Sequence, residues 1–98
     1  MLDVKKKYLR DMKEIFYAYC PKAEIWAYGS RVKGESHPAS DLDLVVKSFS
    51  DKDKSLTQLR ALLNDSDIPF LIDIQEYDRL PASFQQEIER NYVRIFPE

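Results

Sequence analysis

Cysteine, long apolar runs and excess positive charge are all scarce in this sequence. Cys20 is the single cysteine, which excludes an internal disulfide and favours a reducing compartment. No apolar stretch approaches membrane-spanning length, and the N-terminal residues lack the hydrophobic region of a signal peptide. We therefore expect a cytoplasmic protein with no membrane partner.

The charge balance is slightly acidic. The formal net charge is -2 and the isoelectric point is about 5.4, so no basic surface for extended nucleic-acid binding is expected. The 98 residues are 44% hydrophobic and 33% charged, which is typical of a globular chain rather than a disordered one. We expect one domain over residues 1–98, because no repeat or linker divides the chain.

Hydrophobic spacing predicts short strands between helices. The expected helices cover 3–19, 30–34, about 51–64 and a last segment from about 82, and the expected strands cover 23–28, 41–47 and 70–75. The expected caps are Asp3 for the first helix, Ser50 or Asp51 for the third, and a Ser83–Gln86 capping box for the last. This pattern indicates a small α/β fold, although it does not give the strand directions.

Carboxylates interrupt two of the expected strands. Asp41 and Asp43 are separated by one residue, so on a strand they point to the same side. Asp73 lies within the apolar run 70–74, where an ionised group is unfavourable unless it is paired. If the two strands are neighbours, three carboxylates converge, and two Mg²⁺ ions would relieve their repulsion.

A Gly-Ser pair precedes the first carboxylates by ten residues. Gly29-Ser30 is small and flexible, so its backbone amides can come close to a phosphate. The carboxylates could instead be strand-end residues that face solvent, because Asp-Leu-Asp alone is a common string. Gly29-Ser30 together with Asp41, Asp43 and Asp73 favours metal-dependent chemistry on a nucleoside triphosphate.

The sequence resembles the minimal nucleotidyltransferases of the DNA polymerase β superfamily. The resemblance rests on Gly29-Ser30-Arg31-Val32-Lys33-Gly34 followed by Ser40-Asp41-Leu42-Asp43-Leu44-Val45, and it extends from about Ile25 to Ile74. It implies the nucleotidyltransferase fold, which is a small mixed β-sheet flanked by helices. It also implies that the catalytic carboxylates lie on adjacent strands.

The resemblance implies a role for each residue of the motif. Asp41 and Asp43 would be catalytic ligands of two Mg²⁺ ions. Asp73 would ligate the ion at the attacking hydroxyl and help to take its proton. Gly29 and Ser30 would hold the β- and γ-phosphates of ATP.

Several nearby residues have two interpretations each. Arg31 either reaches the triphosphate or belongs to a solvated basic turn, and Ser40 is either a nucleotide-site residue that orients the Asp41 strand or an ordinary loop serine. Lys33 and His37 are expected to face solvent. Tyr28 could stack on a base, but aromatic strand residues are more often core residues.

The function implied by the resemblance is transfer of AMP from ATP to a hydroxyl, with release of pyrophosphate. Small proteins of this family act as antitoxins, and their partner is an all-helical HEPN-domain ribonuclease modified on a tyrosine. Because the chain ends at Glu98, it has no room for the acceptor-binding domain of larger relatives. A helical partner protein is therefore expected to supply the acceptor.

Two other functions stay open at this point. The chain could be a binding module that neutralises its partner by occlusion, without chemistry. It could also transfer a nucleotide to a small molecule that a partner subunit binds. A homo- or hetero-oligomer is compatible with the apolar surface of so small a domain, and the sequence does not reveal the base preference.

Overall fold

The computed structural model describes residues 2–35 and 40–98. His37 and most of the predicted loop over 35–40 lie outside these residues. The helices are α1 (Lys6–Tyr19), α2 (Ser30–Lys33), α3 (Leu56–Asn64) and α4 (Ala82–Arg90), and the strands are β1 (Glu24–Tyr28), β2 (Leu42–Ser48), β3 (Ile72–Glu76) and β4 (Tyr92–Phe96). A 3₁₀ turn over Tyr77–Arg79 follows β3.

The four strands form one mixed sheet in the order β3-β2-β1-β4. Strand β1 is antiparallel to both of its neighbours, β2 and β4. Strands β2 and β3 are parallel, which requires a crossover connection, and α3 lies in that connection. The predicted fold class, a small mixed sheet flanked by helices, is confirmed.

One face of the sheet packs against the helices and forms the main core. Alternate strand residues point to this face, where they meet α1 and α3. The fully buried members with the largest side chains are Met12, Phe16, Ile25, Leu42, Leu44, Leu59 and Ile74. Burying a side chain of this size stabilises the fold by about 1.5–3 kcal/mol. Cys20, which follows the end of α1, is also buried, and burial raises the pKa of its thiol to about 11.

The opposite face is covered at one end by a smaller cluster. Trp26, Tyr28, Val45, Tyr77 and Ile88 are all buried there. The sequence places Val45 on the same face as Asp43, and the structure shows that this face is partly apolar. Tyr28 is a core residue, as predicted.

The last strand, β4, is absent from the sequence prediction. Phe84, Ile88 and Tyr92 fit one helical stripe in the sequence, but α4 ends at Arg90 and Tyr92 begins β4. Pairing with β1 explains the difference, because Tyr28 and Tyr92 face each other in that ladder. A tertiary contact therefore decides the local structure of this segment.

The predicted helix caps are wrong at three helices. Helix α1 begins at Lys6 with Lys5 at its N-cap position and no side-chain cap, so the helix starts three residues after Asp3. The backbone amide of Asp3 donates to the Arg31 carbonyl at 2.7 Å. The N-cap of α3 is Ser55, whose hydroxyl accepts from the Gln58 amide. Helix α4 follows Pro81 and has no side-chain cap, so the predicted capping box does not form. None of the described helices is long and apolar enough to cross a membrane.

Candidate active site

Two carboxylates and two tyrosines form a row across the sheet. Asp43 on β2 pairs with Asp73 on β3 and with Tyr28 on β1. Tyr28 pairs in turn with Tyr92 on β4. Because neighbouring strands lie about 4.8 Å apart, Asp43 and Asp73 are direct neighbours. The strand order that the expectation required is therefore present, and it brings Asp43 and Asp73 together.

Gly29 lies directly against the Asp43 carboxylate. A Cβ atom at this position would stand 2.3 Å from Oδ2 of Asp43, which is far inside van der Waals contact. The φ angle of Gly29 is +81°, in a region that side chains disfavour. The site thus needs glycine here for two reasons, the backbone turn and the close approach of the carboxylate.

The three carboxylates act on one another electrostatically. Asp43 is half-buried, whereas Asp41 and Asp73 are exposed. The pKa of Asp43 is raised above its ordinary value, first by burial and then by the negative charges of Asp73 and Asp41. A half-buried carboxylate beside two others is stabilised in its ionised form by a nearby cation. The negative charge of the three carboxylates is therefore suited to binding a metal ion.

Tyr28 belongs to the same electrostatic environment. Burial raises the pKa of its hydroxyl to about 12, and the charges of Asp43 and Asp73 contribute in the same direction. Its ring makes an edge-to-face contact with Phe84, with ring centroids 5.9 Å apart. Tyr28 therefore provides a rigid, neutral aromatic surface beside the carboxylates. The sequence left open whether this ring stacks on a base or belongs to the core, and the structure shows it buried.

Asp73 is held in place by a hydrogen bond from its own strand. Gln75 Nε2 donates to Oδ1 of Asp73 at 2.9 Å. The two residues are one strand period apart and therefore lie on the same face. The sequence pattern placed Gln75 on this face without assigning it a role. The second oxygen of Asp73 is left for another ligand.

The segment after β1 turns sharply at Gly29 and enters α2. The amides of Val32 and Lys33 both donate to the Gly29 carbonyl at 3.0 Å, and Gly34 ends the helix in the left-handed conformation. Ser30, the first residue of α2, is half-buried. Its amide has no acceptor within the helix, so it can face a ligand at Gly29.

Arg31 and Lys33 lie on opposite sides of this short helix. Lys33 is exposed, as predicted. Arg31 is only 7% exposed, and its guanidinium donates to the carbonyl oxygens of Ser40 and Asp3. Arg31 is therefore not part of a solvated turn. Ser40 directly precedes Asp41, so this contact joins the Gly-Ser turn to the first carboxylate.

The donor set fits Mg²⁺ bound together with phosphate. Among the described residues, no three His, Cys, Asp or Glu side chains form a ready-made metal cage. Mg²⁺ does not require one, because it is usually bound by one or two carboxylates, water and substrate phosphates. Asp41, Asp43 and Asp73 supply hard oxygen ligands, and Gly29-Ser30 adjoins them.

A small cavity adjoins the Gly29 turn on the side of α4. Its volume is about 160 Å³, and it is lined by residues that include Tyr28, Gly29, Lys33, Phe84 and Asn91. The rings of Tyr28 and Phe84 are in contact there, and the lining carries both a positive charge, on Lys33, and a negative one, on Glu87. Sequence reasoning did not find this cavity, because α4 and β1 are far apart in the chain.

The fold, the Gly-Ser turn and the paired carboxylates define a class of protein. The chain belongs to the family described as "Polymerase beta, Nucleotidyltransferase", which matches residues 10–98. The resemblance found in the sequence is thereby confirmed. The chain is thus a nucleotidyltransferase-family protein.

Particular relatives narrow this assignment. The chain is 34% identical over 95 residues to the "Probable protein adenylyltransferase MntA" of Haemophilus influenzae, covering 96% of this chain and 83% of that protein. Its fold is similar to that of a chain in a solved structure described as "Crystal structure of the toxin-antitoxin with AMP-PNP". That match has a TM-score of 0.67 and 20% identity, and it covers 92% of this chain and 73% of the other.

Proposed function

We propose that this chain is a Mg²⁺-dependent nucleotidyltransferase that moves AMP from ATP to a protein hydroxyl. The acceptor is a tyrosine of a HEPN-type toxin, so the chain acts in the cytoplasm as an antitoxin by adenylylation. The observation that carries the proposal is the contact of Gly29 with Asp43, next to Asp73 on the neighbouring strand. This contact supports the proposal because it brings the Gly-Ser turn next to two carboxylates.

Asp41, Asp43 and Asp73 hold the metal in this proposal. Asp41, Asp43 and Asp73 would hold the Mg²⁺ ions through their carboxylate oxygens, with Asp73 on the side of the acceptor. Bound Mg²⁺ would supply charge neutralisation for the transferring phosphoryl group. The raised pKa of Asp43 supports this role, because the charges that raise it are those that a cation would stabilise.

Gly29 and Ser30 bind the triphosphate. The backbone at Gly29-Ser30 and the Ser30 hydroxyl donate to the β- and γ-phosphates, and glycine allows the approach that a side chain would block. Ser40, half-buried and next to Asp41, completes the nucleotide site. These contacts orient the α-phosphate toward the carboxylates, so positioning supplies much of the rate enhancement.

The transfer is a single in-line displacement. The acceptor oxygen forms a bond to the α-phosphorus while the bond from that phosphorus to the pyrophosphate oxygen breaks. Asp73 accepts the proton of the acceptor hydroxyl, and pyrophosphate leaves. Asp73 suits this role because it is exposed and lies on the edge strand β3, where an acceptor can approach.

The comparisons favour a protein acceptor. Asp73 itself is exposed, so a second protein can reach it. The relative named as a protein adenylyltransferase and the similar fold in a toxin–antitoxin structure favour a toxin as that protein.

The test is transfer of label from ATP to the product of the neighbouring gene in the presence of Mg²⁺. Wild-type protein is expected to label the partner, and the Asp41→Ala variant is expected not to. Absence of label with both proteins would refute the proposal. If Asp43→Asn still neutralises the partner in cells, the mechanism is occlusion rather than catalysis.

A further inference from the structure

Arg31 is the one charged side chain that is buried among the described residues. Its Nε and Nη2 atoms both donate to the Ser40 carbonyl, at 3.2 and 2.8 Å. Its Nη1 atom donates to the Asp3 carbonyl at 2.9 Å. The planar guanidinium thus binds two backbone oxygens at once, which the compact ammonium of lysine cannot reproduce.

Arg31 also joins two further contacts into the same cluster. Its guanidinium carbon lies 4.4 Å from the centre of the Phe70 ring, an attractive stacking arrangement. Its backbone carbonyl accepts from the Asp3 amide at 2.7 Å. Arg31 therefore connects the N-terminal segment, the Gly-Ser turn, the residue before Asp41 and the segment that leads into β3.

The position of Asp41 depends on this cluster. Strand β2 begins at Leu42, and its ladder with β3 starts at the Leu42–Ile72 pair. Asp41 thus lies just outside the sheet, with the residue before it held by Arg31 and the Leu42 amide donating to Leu71 at 2.9 Å. A carboxylate outside a ladder needs such a support if it is to ligate a cation beside Asp43.

We infer that Arg31 is a positioning residue that fixes the Ser40–Asp41 backbone for metal binding, rather than a ligand of the triphosphate. The inference rests on the proposed function, because it assigns Asp41 to the metal. In the structure, three of the five N–H groups of the guanidinium donate to the Ser40 and Asp3 carbonyls, and its face packs on the Phe70 ring. A movement toward the triphosphate that broke these bonds would leave the two carbonyls without their cationic donor.

The test compares Arg31→Met and Arg31→Lys with wild type. Mn²⁺ binding is measured by electron paramagnetic resonance in the absence of nucleotide, and transfer kinetics are measured at varied Mg²⁺ and ATP. A positioning role predicts Mn²⁺ affinity that is weaker by about 10–100-fold in Arg31→Met. It also predicts a lower kcat with a nearly unchanged KM for ATP at saturating Mg²⁺. Arg31→Lys is expected to recover only part of the loss.

The opposite result has a distinct signature. If Arg31 binds the triphosphate, KM for ATP rises while Mn²⁺ affinity holds, and Arg31→Lys restores most of the activity, because lysine binds phosphate as a point charge. That result would overturn the inference. Arg31→Lys also keeps the test decisive if Arg31→Met fails to fold.

Leu63→Ala is the control for a general loss of stability. Leu63 is buried in α3, within the core on the face opposite the carboxylates, so its truncation should lower the unfolding temperature without changing Mn²⁺ affinity. If Leu63→Ala weakened Mn²⁺ binding as much as Arg31→Met does, the effect of Arg31 would be a general loss of stability, and the inference would be wrong. Wild-type protein that binds Mn²⁺ but transfers no nucleotide would refute the proposed function alone, and the Arg31 comparison would still be decided by Mn²⁺ affinity.

Discussion

At the scale of the residue, the Asp43 carboxylate combines burial with like charge. It is half-buried, it pairs with Asp73 across the parallel ladder, and it touches the Gly29 turn. Folding therefore places this group where its ionised form is disfavoured. Groups held in this way concentrate at functional sites, where activity and stability have opposite requirements.

The first prediction concerns Asp43→Asn in the absence of metal. The pKa of Asp43 in the folded state is raised above the ordinary 3.8, so ionisation lowers stability as the pH rises from that value through the folded pKa. At neutral pH the penalty is complete, and the asparagine variant should be more stable than wild type. Thermal unfolding from acid to neutral pH measures this difference, which should vanish at the acid end.

Bound metal should make the wild type more stable than Asp43→Asn, which is the opposite of the order expected without metal. Mg²⁺ with AMP-PNP at 100 times its Kd would stabilise the native wild type by about 2.7 kcal/mol, and the variant much less. Transfer activity of Asp43→Asn should fall by more than about 100-fold, because even outer-shell changes weaken metal sites by 10–100-fold. An asparagine variant that is less stable than wild type without metal at neutral pH would contradict this account.

The second prediction uses Gly29 and Gly34, the glycines at the two ends of α2, as a matched pair. Both have positive φ, so alanine strains the backbone at either position, by about 1–2 kcal/mol at the left-handed Gly34. Only at Gly29 does the new Cβ meet the Asp43 carboxylate, since nothing lies within 4 Å of the Cβ built at Gly34. Gly29→Ala should therefore also displace the carboxylate and lower kcat by about 100-fold.

Unfolding and kinetics measured on both glycine variants separate the two effects. Gly34→Ala should lose stability and keep its kcat. Equal loss of kcat in the two variants would show that backbone strain, rather than contact with Asp43, explains the need for glycine.

At the scale of the element, the strands that carry the carboxylates follow from local sequence, and the helix starts do not. Alternating apolar residues predict 41–47 and 70–75, close to the observed β2 and β3. The segment before α3 offers Ser50, Asp51, Asp53 and Ser55, and each is a competent cap by its chemistry. The choice among them depends on where packing begins the helix. For α3 this is set at Ser55, whose amide binds the Tyr19 hydroxyl at 2.8 Å.

The third prediction tests the observed cap against a predicted one. Ser55→Ala removes the acceptor of the Gln58 amide and should lower the free energy of unfolding by about 1 kcal/mol. Ser83→Ala is the control, because Ser83 is exposed and makes no capping bond, so its effect should stay within about 0.5 kcal/mol. Chemical denaturation of both variants measures the two values. A larger loss of unfolding free energy in Ser83→Ala would show that Ser83 caps α4 after all and would contradict the observed helix start.

At the scale of the whole molecule, the order of the strands in the sheet determines which of the candidate site residues lie near one another. The sequence supplies Asp41, Asp43 and Asp73 but not their proximity, which depends on the parallel pairing of β2 with β3. It likewise supplies Arg31 without its partners, because Asp3, Ser40 and Phe70 meet it only after folding. The spacing of the motif was therefore enough to predict the candidate metal ligands. The residues that hold these ligands in position could be identified only from the tertiary structure.

The sheet order also explains how the site is accessible to a second protein. Strand β3 is an edge strand, and it carries Asp73 with exposed Leu71 beside it. The Gly-Ser turn lies on the inner side of the carboxylates, next to Asp43. Under the proposed function, this arrangement would let nucleotide and acceptor approach the carboxylates from different sides, as an in-line displacement requires.

The most direct measurement is label transfer from ATP labelled in either the α- or the γ-phosphate. The product of the neighbouring gene serves as acceptor with Mg²⁺ present, and Asp73→Asn is the matched inactive variant. The account predicts that the α-label becomes attached to a tyrosine of the partner, that the γ-label leaves in pyrophosphate, and that Asp73→Asn transfers neither. Attachment of the γ-label, or equal α-labelling by Asp73→Asn, would contradict it.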